Sequence, residues 1–191
     1  MRLRISHRTQ CLYDAPVPYA LQRIRLFPPD VRGQTVLHWS IEVEGAKQEL
    51  RFTDHFGNDT RLLSVEGAPH EIAITATGEV ETQDLTGVLG PHRGFAPLWI
   101  FVPQTERTVP GAAVRALVSA VTADTELKRM HELMAAILER VAYEVGATDS
   151  GTTAEEALAK GSGVCQDHAH IFLSAAREMA LPARYMSGYL L

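Results

Sequence analysis

The sequence is poor in the features that mark several large classes of protein. It contains only two cysteines, Cys11 and Cys165, in 191 residues, too few for a disulfide framework. Both thiols are therefore expected free, in a reducing cytoplasm. No cluster of Lys and Arg stands out, and 18 basic against 23 acidic residues give a formal charge of −5, which argues against a nucleic-acid partner. No apolar run approaches the length of a membrane span, and Met1 to His7 lacks the apolar core of a signal peptide, so no membrane partner is expected. Internal repeats and low-complexity segments are absent. The one grouping that invites a metal, Cys165 with His168 and His170, crowds three residues into six positions and makes a poor tetrahedral set, so no metal and no cofactor is expected.

What is present is an ordinary globular balance, 46% apolar and 21% charged, in a chain long enough for one large domain or two small ones. Residues 1–100 read as β structure. Arg2 to Thr9 alternates polar and apolar; Leu21 to Phe27 stops at Pro28-Pro29; Val36 to Glu44 carries Trp39, Ile41 and Val43 on one face. Glu49 to Asp54 and Thr60 to Glu66 flank the turn His55 to Asp59 as a hairpin, and Glu71 to Glu81 alternates cleanly. Cys11 reads as a small packing residue. Short strands at this spacing predict an antiparallel β-sandwich. From Thr82 to Pro110 glycines and prolines break the pattern, although Phe95, Leu98, Trp99, Ile100 and Phe101 are too apolar for a solvent-borne linker.

Within residues 101–191, the second expected domain, the period changes to helical from Gly111. Ala112 to Thr122 is a first helix. Thr125 caps a second whose apolar stripe runs Leu127, Met130, Leu133, Met134, Ile137, Leu138, Val141. Thr152 or Thr153 caps a short third helix, which Gly161 ends. A fourth begins at Cys165 and runs to about Met179, and Ala183 to Leu191 after Pro182 reads as a strand. The fold class is α+β.

The stretch Gly161-Ser162-Gly163-Val164-Cys165-Gln166-Asp167-His168-Ala169-His170 holds the candidate chemistry. Counting from Cys165, Ala169, Phe172, Leu173, Ala176 and Ala180 mark one helical face, with Gln166, Asp167 and His170 elsewhere. A thiol at such a helix start meets unpaired N–H groups and the positive end of the helix dipole, which favour a thiolate. Gly161 and Gly163 permit a positive-φ turn before it and leave room for something to approach. On these residues alone two readings stand open: a nucleophile, or a small hydrophobe in a core.

Several pieces together resemble the bacterial transglutaminase-like family. They are Tyr143, the Thr152-Thr153-Ala154 helix through Leu158, Gly163-Val164-Cys165-Gln166-Asp167 with Ala169-His170, and Pro182-Ala183-Arg184-Tyr185 with Ser187-Gly188-Tyr189. In the first half, Leu26-Phe27-Pro28 and Asp54-x-Phe56-Gly57-Asn58 are similar to recurring pieces of the β domain that precedes the core in that family. The resemblance implies a papain-like core at 101–191, begun by helices and one strand, behind a β-sandwich at 1–100. It also implies a protein or peptide substrate and acyl transfer through a thioester on Cys165, the nucleophile of a Cys-His-Asp triad. Gln166, Asp167, His168 and His170 become supporting residues, with Asp167 and His170 bracing the helix start.

The family's His and Asp follow the Ser-Gly-Tyr strand, whereas all eight histidines here precede it, the last being His170. The 191 residues thus read as an N-terminal portion, inactive alone. His168, one turn after Cys165, is the local group that could stand in as base, though poorly aimed; its other role is packing at the cleft edge. Exposed strand edges pair, so the final strand predicts self-association. The rival reading is a noncatalytic protein- or peptide-binding scaffold with a vestigial core, and what is encoded past codon 191 separates the two.

Overall fold

The computed structural model describes residues 1–92 and 94–189. The chain divides into two compact units, Met1–Ala96 and Pro97–Leu191. Among the described residues they hold six longer strands, two very short ones and four α-helices, an α+β arrangement. No helix among the described residues is long and apolar enough to cross a membrane.

The first unit contains β1 (Arg2–Leu12), β2 (Ala20–Ile24), β3 (Gln34–Glu44), β4 (Lys47–Thr53), β5 (Asp59–Val65) and β6 (Glu71–Thr82). They form two three-stranded antiparallel sheets, ordered β1-β6-β3 and β2-β5-β4. Burial follows position in the sheet. The central strands supply the core, with Ile72, Ala73, Ala76 and Val80 on β6 and Leu63 and Val65 on β5, while β4 at an edge is exposed throughout. Gly78 on β6 lies opposite Trp39, and a Cβ there would come within 2.4 Å of the indole. The missing side chain is what lets the ring lie across the strand. One residue along, buried Glu79 accepts from the Arg4 guanidinium at 3.0 and 2.8 Å and from Arg2 Nε at 2.8 Å. The hairpin expected around His55–Asp59 is β4–β5; β2 ends three residues short of the expected Phe27.

The second unit opens with 3₁₀ turns at Leu98–Phe101 and Glu106–Thr108, then α1 (Ala112–Ser119), α2 (Glu126–Arg140), β7 (Ala142–Tyr143), α3 (Ala154–Lys160), β8 (Ser162–Gly163) and α4 (Cys165–Glu178). Phe101 is buried but Phe95 is 91% exposed, so the apolar connection is only partly covered. Val114, Leu117, Leu133, Ile137, Ile171 and Ala175 are the heart of the helical core. The α1 start has no side-chain cap of its own, and the Glu155 carboxylate on α3 supplies it, accepting from the N–H groups of Gly111, Ala113 and Val114 at 2.7–3.0 Å. Those three bonds outweigh the cost of burying the carboxylate and hold its pKa below the ordinary glutamate value.

Thr125 caps α2 as expected, accepting from the Lys128 N–H. Its apolar stripe is split, however: Leu133 and Ile137 are buried while Leu127, Met134 and Leu138 are exposed. The expected stripe spanned more than one face, and only its inner half meets α4 and α1 in this unit. The strand expected at the C-terminal end is corrected as well. Ala183–Tyr189 forms no ladder with any described residue and is not a strand, and the last two positions of that expectation lie outside the described residues. A strand is a paired state, and an alternating sequence without a partner does not make one. The two strands the unit does have are two residues each, parallel, and invisible to any periodicity argument.

Candidate active site

Cys165 is the first residue of α4 and its side chain is exposed. Three local devices set it there. Gly161 ends α3 in the left-handed region at φ 75°, donating its N–H to Ala157 O at 3.0 Å. The β7–β8 ladder then clamps the turn, as Ala142 N–H donates to Gly161 O and Glu144 N–H to Gly163 O, each at 2.9 Å. Finally Asp167, 1% exposed, turns back from the first turn of α4, its Oδ2 accepting from Val164 N–H at 2.7 Å and from the Thr148 hydroxyl at 2.5 Å.

Gly163 serves a different purpose from the one its sequence position suggests. Only Gly161 has a positive φ; a Cβ at Gly163 would lie 2.7–2.9 Å from the Asp167 side chain. The glycine therefore makes room for the carboxylate that braces the turn.

The buried face of α4 is only partly the one expected, since of the expected residues Leu173 and Ala176 are buried. Asp167, Ile171, Ser174 and Ala175 are buried to 1% or less, whereas Ala169 and Phe172 are half-buried and Ala180 lies beyond the helix with φ 59°. A polar residue at the head of the inward face disguised it.

Gln166, His168 and His170 take separate places. The His168 ring bridges two backbone carbonyls, with Nδ1 at 3.0 Å from Val164 O and Nε2 at 3.1 Å from Val141 O. Both nitrogens face these oxygens, which ties the helix start to the end of α2 and leaves neither aimed at the thiol. His168 is thus engaged with two backbone carbonyls beside the helix start. His170 lies against Tyr185, ring centroids 5.5 Å apart, and its Nδ1 is buried without a hydrogen-bond partner among the described residues. Burial pushes this imidazole below its ordinary pKa; Asp167 pulls against that shift, and Arg107 and Arg177 add to it. Gln166 and His170 line a cavity of about 470 Å³ together with Arg107, Ser150, Arg177 and Tyr185.

Cys165 Sγ makes no hydrogen bond with any described residue of its unit. No group of three or more His, Cys, Asp or Glu side chains arranged to hold a metal occurs among the described residues. Val164, at the N-cap, offers no side-chain acceptor, and the first N–H groups of α4 have no carbonyl of their own helix to bond. The arrangement can therefore present sulfur and hydrogen-bond donors to one incoming carbonyl group. Arg107, Ser150 and the cavity on the Gln166 side were not anticipated from the sequence. Arg107 and Ser150 sit 58 and 15 positions before Cys165, in irregular segments that carry no periodic signal.

The family model for the bacterial transglutaminase-like N-terminal region matches residues 3–81, and that for the transglutaminase-like superfamily core matches residues 114–191. An uncharacterized protein of Mycobacterium leprae is 27% identical over 199 residues, covering 99% of this chain and 71% of its own length. An uncharacterized protein of Mycobacterium tuberculosis is 24% identical over 212 residues, covering 99% of this chain and 66% of its own. Among solved structures, that of "a Putative Cysteine Protease from Cytophaga hutchinsonii" superposes with a TM-score of 0.66 at 16% identity, over 95% of this chain and 67% of the other, a likeness of fold. The chain thus spans about two thirds of the length of the relatives it matches.

Proposed function

The chain belongs to the transglutaminase-like superfamily, with the bacterial N-terminal region ahead of the core, and from that premise we propose that it is the N-terminal portion of a cysteine acyl-transfer enzyme, a peptidase or amidase working through Cys165. The observation that carries this reading is an exposed, unbonded thiol at the first residue of a helix, held out by a turn that is clamped on both sides. Sulfur attacks the carbonyl carbon of a protein or peptide amide, its proton passing to a base. The negative charge on the carbonyl oxygen forms beside the free N–H groups of Cys165 and Gln166. The C–N bond then breaks as the leaving amine takes up the proton, and water cleaves the thioester. Hydrolysis is preferred to cross-linking because the structural neighbour carries a protease name. The two sheets of the first unit are read as the layers of a β-sandwich, and a reducing cytoplasm is proposed as the location on the low cysteine content, which cell fractionation would test.

The base in this scheme is an imidazole supplied from outside the 191 residues, since neither His168 nor His170 meets the thiol. In a protein that joins this chain to such an imidazole, Cys165→Ala is expected to lower amide hydrolysis by roughly 10³-fold or more, and mass spectrometry of quenched reactions should find the acyl group on the peptide bearing Cys165. The 191-residue chain alone should show at most trace turnover. Full activity in Cys165→Ala sinks the proposal, and a natural stop at codon 191 turns the reading to the noncatalytic scaffold.

The segment Ala183–Tyr189 leaves Tyr185, Met186 and Tyr189 between 41% and 60% exposed, and self-association through it is proposed as well. Light scattering should give a mass that rises with concentration above that of the monomer; a constant monomer mass would exclude it.

A further inference from the structure

Gln166, His170, Leu173 and Arg177 recur at i, i+4, i+7 and i+11, one stripe of α4. That stripe forms one wall of the 470 Å³ cavity, and Cys165 is not part of it. The opposite wall comes from the Glu106–Thr108 turn and from Ser150, all within the second unit. No carboxylate lines the cavity, yet two guanidiniums do. They are in different states. Arg177 is spent on the wall itself: its Nε and Nη2 donate to Ala183 O at 3.2 and 2.8 Å, and its Nη1 to the Thr108 hydroxyl at 3.0 Å. Arg107 has no ion pair and no hydrogen bond with any described residue, although its Nη1 is buried. Asp149, the acidic residue next to the cavity-lining Ser150, is occupied in accepting from Gly151 N–H at 2.6 Å and Thr152 N–H at 3.1 Å.

A buried guanidinium nitrogen with nothing to donate to is costly, and a planar anion is the group that satisfies its fork. The His170 Nδ1, also buried and unpartnered, adds a polar position on the facing wall, and Leu173 offers an apolar surface beside it. We propose that this cavity is a carboxylate-binding subsite, taking a carboxylate on a short aliphatic stem, with Arg107 as its two-pronged partner and the stem against Leu173. The carboxylate comes either from an acidic side chain of a peptide or from a peptide C-terminus; both present the same group on a stem of similar length. The site does not depend on the chemistry of Cys165.

The test is a calorimetric or NMR titration of the 191-residue chain with four probes: N-acetylglutamate N-methylamide, N-acetylalanine, the neutral N-acetylglutamine N-methylamide, and inorganic phosphate. At least one carboxylate probe should bind saturably and at least about tenfold more tightly than the neutral isostere, and which of the two does so identifies the source. Arg107→Gln should weaken that binding by about tenfold, and Cys165→Ala should leave it unchanged. If Arg107→Gln does not fold, Arg107→Lys, which keeps the charge but loses the fork, should weaken it roughly threefold. Binding of neither carboxylate probe more tightly than of the glutamine probe overturns the proposal. So does tighter binding of phosphate than of either carboxylate, or an unchanged affinity in the folded Arg107 variant. Because binding is read without turnover, its failure leaves the Cys165 reading standing, and the loss of that reading leaves this one.

Discussion

Replacing Asp167 with alanine is expected to destabilise the second unit by about 3 kcal/mol, among the largest effects of any single side chain in it. The carboxylate is 1% exposed and holds two donors, Val164 N–H at 2.7 Å and the Thr148 hydroxyl at 2.5 Å. Truncation strands both inside the protein, where each unpaired donor costs about 1–3 kcal/mol. The urea midpoint of the second unit should fall by roughly 1–2 M, with the slope unchanged. Gly163→Ala should be damaging for the same reason seen from the other side, since its Cβ would sit 2.7 Å from Asp167 Oδ2. The two changes should not add. With Asp167 truncated to alanine the contacts with its Oδ2 and Cγ are gone while the one with its Cβ at 2.8 Å stays, so the cost of Gly163→Ala should shrink in the double variant without vanishing. Strict additivity would mean that the glycine is there for another reason, and a midpoint of Asp167→Ala equal to that of the wild type would remove the brace altogether. Since the same carboxylate positions the turn that presents Cys165, the reactivity of that thiol toward iodoacetamide should change along with stability.

The role of Asp167 shows which kinds of information a sequence displays and which it conceals. The start of α4 at Cys165, the Thr125 and Thr153 caps and the Gly161 terminator were legible because each is a local rule. A hydroxyl accepts from an N–H three residues on, and glycine adopts φ 75° at little cost. The inward face of α4 was legible only in part, at Leu173 and Ala176, because its first member is a charged residue whose partners, Val164 N–H and Thr148, make burial tolerable. Periodicity put Asp167 off the apolar face and Ala180 on it, and the structure reverses both. The β7–β8 pair escaped because two-residue strands have no period, though their two hydrogen bonds fix the turn ahead of the thiol. The C-terminal strand failed in the opposite sense: Ala183 to Tyr189 has a strand-like composition, but pairing is a property of two segments and no described segment pairs with it.

The site was legible to the same degree. Cys165 could be found because glycines, helix start and thiol lie within five residues. The Arg107 cavity could not, because its walls come from segments some 70 residues apart, Glu106–Thr108 and Arg177, joined only by tertiary folding. His168 is instructive in another way. Spacing alone allowed it to approach the thiol, and only the two carbonyls on either side of its ring decide that it does not.

The first unit has its own counterpart to Asp167. Asp54 stands at the end of β4, and its carboxylate gathers the turn that leads into β5. Its Oδ1 accepts from Phe56 and Asn58 N–H, each at 2.9 Å, and its Oδ2 from Asn58 Nδ2 at 2.9 Å and Arg25 Nε at 2.6 Å. Gly57 within that turn has φ 81°, a conformation that suits glycine. Burial alone would raise the pKa of this carboxyl, but the donors of Asn58, Arg25 and Phe56 prevail and hold it well below the usual carboxylate range. A depressed folded-state pKa fixes the sign of the pH dependence. The stabilisation is fully present above the unfolded-state value of about 4 and drains away as pH falls below it. Asp54→Ala should therefore cost the first unit roughly 2–4 kcal/mol at pH 7, and much less at about pH 2, where the wild type has itself lost most of the benefit. Hydrogen exchange of the β5 amides Leu63 and Val65 would follow this without interference from the helical unit. Asp54→Asn should flatten the acid limb, because an amide keeps part of the geometry and has no proton to take up. A wild-type exchange profile as flat between pH 5 and 2 as that of Asp54→Asn, once intrinsic exchange rates are divided out, would mean that the turn is held by its backbone alone. The Arg25 pair would then be an ornament of the surface and not the tie between β2 and the hairpin.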